Sequence, residues 1–321
     1  MYTRLSYPGD KKGAKLTAEE LESIASSFDE SLLSPLCGLS PVSASLPWLS
    51  SAVDVLTIAH SVVKSLIYEL KRDGIDSLLS WYLDNSLKVL DVCNCMSSKI
   101  ERLCLRHLDR RIAMKLLSAE GNPLEEEIHQ ARDLLADSKG EGGGAIEERL
   151  RDLVVSIETL ALREVASPVD RVVCHAVQAV NFLTAFVVGV ISSALRSSSG
   201  PVICLRIPEE FPWGDFVRAI ESTIIVESRG GKERDRKMRV LKELDDVEAH
   251  GRHVLEVIDQ VVASGGGREI VGRLREAAAG LEKATEALLD RLYQLRDEMK
   301  KLLLTVRRIR KEMADDFRAS L

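Results

Sequence analysis

Residues 172–195 read VVCHAVQAVNFLTAFVVGVISSAL, a run without Asp, Glu, Lys or Arg in a chain that is 29% charged. About 20 apolar residues suffice for a helix to cross a bilayer, so length alone is compatible with a membrane span. The run also carries His175, Gln178, Asn181 and Thr184 at every third position, which on a helix draws one polar stripe. A lipid-facing helix would have to hide that stripe against a neighbour. In a soluble bundle the same helix is the central one, buried all round, with the stripe hydrogen-bonded across the core. The sequence leaves both readings open. The flanking charges, Asp170 and Arg171 before and Arg196 after, are too balanced to orient a span.

Outward from this segment, helical periodicity fills nearly the whole chain and strand alternation is almost missing. The expected fold class is all-α, an elongated multi-helix bundle with a long C-terminal coiled-coil-like helix. Thr17 and Glu20 form a capping box opening a helix to about Leu33, with Ser34 and Pro35 as its stop. Residues 1–44 read as a variable segment holding that one helix, and 45–321 as one helical domain. A helix from about Pro47 to Arg72 should end at Gly74, and another should run from Asp76 to about Ala119. Asn122 and Pro123 open one that ends near Lys139, and Gly140, Gly142, Gly143 and Gly144 form a hinge. Neither this string nor Gly265, Gly266 and Gly267 follows a strand, so both are linkers and not phosphate cradles.

Trp213 and Phe216 should anchor a proline-rich loop to the bundle. Helices near Asp215–Glu227 and Lys237–Ala263 follow, with an exposed loop between them carrying Arg229, Lys232, Glu233, Arg234, Asp235, Arg236, Lys237 and Arg239. From Arg268 onward, Ile270, Leu274, Ala277, Leu281, Ala284, Leu288, Leu292, Leu295, Met299, Leu302, Val306, Ile309, Met313 and Phe317 step mainly by four and three. Such a seam belongs against another helix, and it offers a surface for self-association. The length of the segment favours a bend at Gly280 or projection from the bundle. Lys300, Lys301, Arg307, Arg308, Arg310 and Lys311 lie opposite the seam in a span without acidic residues. They read as a solvated face or as a basic surface for anionic lipid or an acidic protein.

The chain has 321 residues, 45% of them hydrophobic, enough for a substantial core. Six irregularly spaced cysteines and the lack of an apolar leader predict reduced thiols in a cytoplasmic, non-secreted protein. A net charge of −6 argues against general nucleic-acid binding. Cys93, Cys104 and His107 share a helix face but are strung too far apart to surround one metal ion. No nucleophile, base and orienting group converge in any local motif, and His60, His129, His250 and His253 read as surface residues. No catalytic, cofactor-binding or metal-ligating residue is therefore expected, and no cofactor.

The segment from Trp81 to Leu103, WYLDNSLKVLDVCNCMSSKIERL, resembles the plant BYPASS family and its exocyst-binding relatives. Pro47-Trp48-Leu49, followed by Ala52-Val53-Asp54-Val55-Leu56 and His60, looks like the preceding helix of that family. The resemblance extends from about residue 45 to 312. Trp81, Tyr82, Asp84, Lys88, Asp91, Cys93 and Asn94 are the candidate family-motif residues. Asp84 and Asp91, one heptad apart, could hold Lys88 by turn-length contacts. The resemblance implies a plant protein without established catalysis, acting in growth control and root-to-shoot signalling, with a protein partner such as an exocyst subunit. It also implies a membrane segment at 172–195. The expected function is a non-enzymatic adaptor or regulator working through a protein partner at a membrane. The alternatives are a single-span membrane protein anchored by 172–195 and an enzyme of a small signalling metabolite.

Overall fold

Thr17 Oγ1 accepts the backbone N–H of Glu20 at 3.2 Å, while Glu20 Oε2 accepts that of Thr17 at 2.8 Å. This capping box starts α1, Ala18–Cys37, in the computed structural model of the chain. The structure describes residues 16–40, 45–70, 76–118, 123–136, 144–161, 167–195, 207–228, 235–238, 241–264 and 267–320. The Gly74 and Asn122 signals, Gly140 to Gly143, Gly265 and Gly266 lie outside these residues, and Gly144 is the first residue of a helix.

α1 does not stop at the Ser34-Pro35 signal but continues to Cys37. A proline in the last turn forfeits a single helical hydrogen bond. Buried Leu32 and Leu36 hold that turn against the core, and Gly38 N–H closes it on the Ser34 carbonyl at 3.3 Å. The following helices are α2 (Leu46–Leu70), α3 (Asp76–Leu117), α4 (Glu125–Ala136), α5 (Gly144–Ala161) and α6 (Pro168–Ala194). Ser167 caps α6 by accepting the Asp170 N–H at 3.1 Å, with Pro168 in the first turn.

α7 (Gly214–Ile224) ends three residues earlier than the periodicity suggests. Ile225–Ser228 (β1) instead pairs antiparallel with Asp235–Met238 (β2), with Ile225 opposite Met238 and Ser228 opposite Asp235. The predicted exposed loop is therefore partly a hairpin, the only β structure among the described residues. The β-branched Ile225 and Val226 favour a strand, and Gly230 and Gly231 punctuate the sequence between the two strands. Arg229, Lys232, Glu233, Arg234 and Arg239 lie outside the described residues. α8 consequently begins at Lys242 and ends at Ser264, and α9 spans Arg268–Ser320.

Two helices organise the all-α bundle. α6 packs against α1, α2, α3 and α5, and from Val172 to Ser192 every residue except His175 is buried. α9 packs against α3, α8 and α2 in turn. Arg111 to Glu286 and Arg310 to Ser86 make α3 and α9 antiparallel, whereas Asp54 to Lys301 and Lys64 to Glu312 make α2 and α9 parallel. The predicted seam of α9 is buried from Leu274 to Met313, apart from half-buried Ala284. It is spent inside the bundle, so α9 does not project as a whole. Gly280 marks a close approach: a Cβ there would lie 3.1 Å from His250 Cδ2 on α8. By length and composition α2 and α6 could each cross a membrane, and in this fold both are core helices.

Glu243, in the first turn of α8, joins three helices. Its Oε1 accepts from Arg291 of α9 at 2.7 Å and from the Leu46 N–H at the start of α2 at 3.4 Å. Leu302 and Leu304 give a direct test of which face of α9 carries stability. Leu302→Ala, at a fully buried position, should lower unfolding free energy by about 2–5 kcal/mol in urea titration. Leu304→Ala, at a position 53% exposed, should change it by no more than about 0.5 kcal/mol.

Candidate partner-binding face and the polar centre of the bundle

The polar stripe of α6 points into the bundle, toward α1 and α2. His175 Nε2 lies 3.0 and 3.1 Å from the two carboxylate oxygens of Asp29 on α1. The imidazole stacks on Phe211, with ring centres 4.7 Å apart, and Phe211 continues to Phe182 and to fully buried Trp213. Trp213 thus anchors the loop as its ring size predicts, with Phe216 half-buried beside the core. Gln178 and Asn181 are buried, and Asn181 Nδ2 has no acceptor among the described residues.

Thr184 Oγ1 donates to the Val180 carbonyl at 2.7 Å and meets His60 Nε2 of α2 at 3.2 Å. A hydroxyl has one proton to give, so His60 is the donor in this pair and its proton sits on Nε2. His60 is a buried residue, contrary to its reading as a surface histidine. Its steps to Val53, Leu56, Val63 and Ile67 put it on the apolar side of α2, a signal the sequence contained. Burial pushes its pKa down to about 4, which keeps the ring neutral.

The family-motif segment forms the middle of α3 and fastens it to three helices. Tyr82, Asn85, Ser86, Val89, Val92, Cys93 and Met96 face inward. Asn85 Oδ1 accepts from Ser156 of α5 at 3.1 Å. Arg310 of α9 donates to the Leu83 carbonyl and, at 3.0 Å, to Ser86 Oγ. Lys99 Nζ donates at 2.9 Å to the Ser192 carbonyl in the last turn of α6, where carbonyls lack helical partners and a cation is favoured. Burial raises the Tyr82 hydroxyl, with Arg310 opposing, and pushes the Cys93 thiol up to about 12. Asp84, Asp91 and Asn94 are exposed, while Trp81 and Lys88 are half-exposed. Among the described residues no ion pair joins Lys88 to either aspartate.

Cys104 and fully buried His107 lie farther along α3. Burial, with Arg110 and Arg106 adding to it, pushes His107 down to about 3. No disulfide joins any two of the five described cysteines. No group of three or more His, Cys, Asp or Glu residues among the described ones could hold a metal ion.

The six basic residues of α9 divide into two groups. Arg310 is the clamp on α3, and Lys301 pairs with Asp54 at 2.5 Å and with Glu298 at 3.3 Å. Lys300, Arg307, Arg308 and Lys311 are exposed and form no ion pair among the described residues. Between them stands exposed Leu304. A shallow groove of about 360 Å³ is lined here by Asp297, Lys300, Lys301, Leu304, Thr305 and Arg308.

The neutral histidines give the fold a defined acid sensitivity. The unfolded chain takes up protons on His60 and His107 below the ordinary histidine value of 6.5, and the folded chain does so only near 4 and 3. Stability from these groups is thus fully present above pH 6.5 and is lost as pH falls toward 4. Urea titrations at pH 7 and pH 5 should show a drop of about 2 kcal/mol for each of the two histidines. His60→Gln should reduce that drop, and an unchanged slope in the variant would remove His60 as a cause.

A sequence profile described as Protein ROH1-like matches residues 15–139 and 161–317. UPF0496 protein 4 of Oryza sativa subsp. japonica is 29% identical over 277 residues, covering 80% of this chain and 59% of that protein. Its counterpart in Oryza sativa subsp. indica is 30% identical with the same coverage. Protein BPS1, chloroplastic, of Arabidopsis thaliana is 27% identical over 251 residues, covering 76% of this chain and 72% of that protein. The chain spans 59% of the length of the rice relatives it matches. No solved structure matches it. The Arabidopsis relative agrees with the BYPASS resemblance carried by Trp81 to Leu103, and the two matched stretches take in eight of the nine helices of the described residues almost entirely, leaving out most of α5. The chain belongs to the ROH1-like family, among the BYPASS-related proteins of plants.

Proposed function

We propose that this protein is a non-enzymatic helical adaptor of plant growth and root-to-shoot signalling, which holds a protein partner of the exocyst vesicle-tethering machinery on the outer face of α9. The observation that carries this reading is the set of four exposed cations, Lys300, Arg307, Arg308 and Lys311, around Leu304. A charged rim about an apolar anchor suits an acidic protein segment, because the charges select and steer while the leucine contributes burial. His60, His107 and Cys93 are enclosed and held neutral by burial, which suits packing and hydrogen bonding inside the bundle.

In this reading the protein is cytoplasmic and reaches an internal or plasma membrane through its partner. Anchoring by α6 is the second reading, favoured by the apolar length of that helix. It requires α6 to leave α1, α2, α3 and α5 and to strip Asp29 from His175, at the cost of exposing the rest of the core.

Tagged full-length protein from plant cells should co-purify with an exocyst subunit. Lys300→Glu combined with Arg308→Glu should weaken that capture by about tenfold or more without altering thermal stability. Alkaline carbonate should release the protein from membranes. Retention through carbonate would favour the α6 anchor, and full capture by the charge-reversed variant would sink the α9 face as the docking site.

A further inference from the structure

The chain carries, on another helix, a feature complementary to the α9 groove. Leu124, 66% exposed, stands immediately before α4, and Glu125 and Glu126 follow it exposed in the first turn. The tip is ordered, because Glu127 Oε2 accepts the Leu124 N–H at 2.8 Å and fixes the start of the helix. Glu125 makes only a long contact, 3.9 Å, to exposed His129. One site is therefore a leucine with glutamates beside it. The other is a leucine in a groove lined by Lys300, Lys301 and Arg308 and by one acid, Asp297, which Arg296 pairs at 2.9 Å, with Arg307 and Lys311 nearby.

One molecule cannot bring the two together. α3 and α9 are antiparallel, with Arg111 opposite Glu286, so the end of α3 lies level with α9 near residue 280. That level is about 36 Å along α9 from Leu304 at 1.5 Å per residue. α4 starts beyond that end of α3 and packs on α3 and on α8, with Arg132 and Asp259 3.0 Å apart. The occupant that meets both sites is a second copy.

We infer that the protein self-associates, with the Leu124-Glu125-Glu126 tip of one copy seated in the Lys300-Leu304-Arg308 groove of another. This rests on the reading of the α9 face as a docking surface and adds its regulation. A second copy occupies the groove that an acidic partner would take, so partner capture and self-association exclude one another at that face.

Sedimentation velocity of the purified full-length chain tests the inference. At low salt the mean mass should rise above that of the monomer with concentration. It should return to monomer near 1 M salt, where charges are screened beyond about 3 Å. Lys300→Glu with Arg308→Glu should be monomeric at low salt, and so should Glu125→Lys with Glu126→Lys, each with unchanged helical circular dichroism. Mixing the two variants restores opposite charges at both sites and should restore association. Wild-type protein that stays monomeric at every concentration overturns the inference, as does association insensitive to the tip reversal or a mixture that stays monomeric. A monomeric wild type that still captures an exocyst subunit through α9 would leave the adaptor reading standing and remove only this contact.

Discussion

α6 can be surrounded on all sides because the two ends of its polar stripe, His175 and Thr184, are answered from neighbouring helices, while Asn181 Nδ2 between them finds no acceptor among the described residues. An unanswered carboxamide or imidazole in such a place costs on the order of 1–3 kcal/mol, enough to matter in a fold of ordinary marginal stability. Asp29 meets His175 and His60 meets Thr184, so α1 and α2 are held at fixed rotations about α6. A helix face made of methyl groups alone would tolerate slippage by a turn. The hydrogen-bonded pairs do not, and the stripe specifies the packing as well as permitting it.

The second constraint is the length of α9. At 53 residues it is longer than any helix it meets in the bundle, and its apolar seam is covered jointly by α8, α3 and α2. The family segment of α3 lies where these coverings meet those of α6. Arg310 reaches α3 from one side and Lys99 reaches α6 on the other, with Asn85 joined to α5 between them. The inward residues of the motif thus hold the bundle together. The outward ones, Asp84, Asp91 and Asn94, are left facing solvent.

Much of this was legible in the sequence because helices announce themselves locally. The capping box at Thr17 and the spacing of the α9 seam each depend on residues within a turn or two of one another. What escaped was non-local. Pro35 reads as a stop until Leu36 is seen to be buried, and Ile225 continues a helix until it is paired with Met238. Asp29 and Lys99 have no pattern that distinguishes them from surface charges, since their partners lie 146 and 93 residues away. The basic run of α9 was visible as a run, but nothing in its spacing separates Arg310, turned to α3, from Arg307 and Arg308, turned outward.

The parallel seating of α2 on α9 bears on how the chain is born. Asp54 and Lys301 are 247 residues apart, and α9 leaves the ribosome after α2 and α6 are complete. At typical synthesis rates, on the order of 10 s separates the end of α6 from the end of α9. During that interval α2, a helix with the length and apolarity of a membrane span, lacks the cover of α9, while α6 already has its helical neighbours and awaits Phe211. The nascent chain therefore carries an uncovered apolar face on α2 for seconds before it is a bundle.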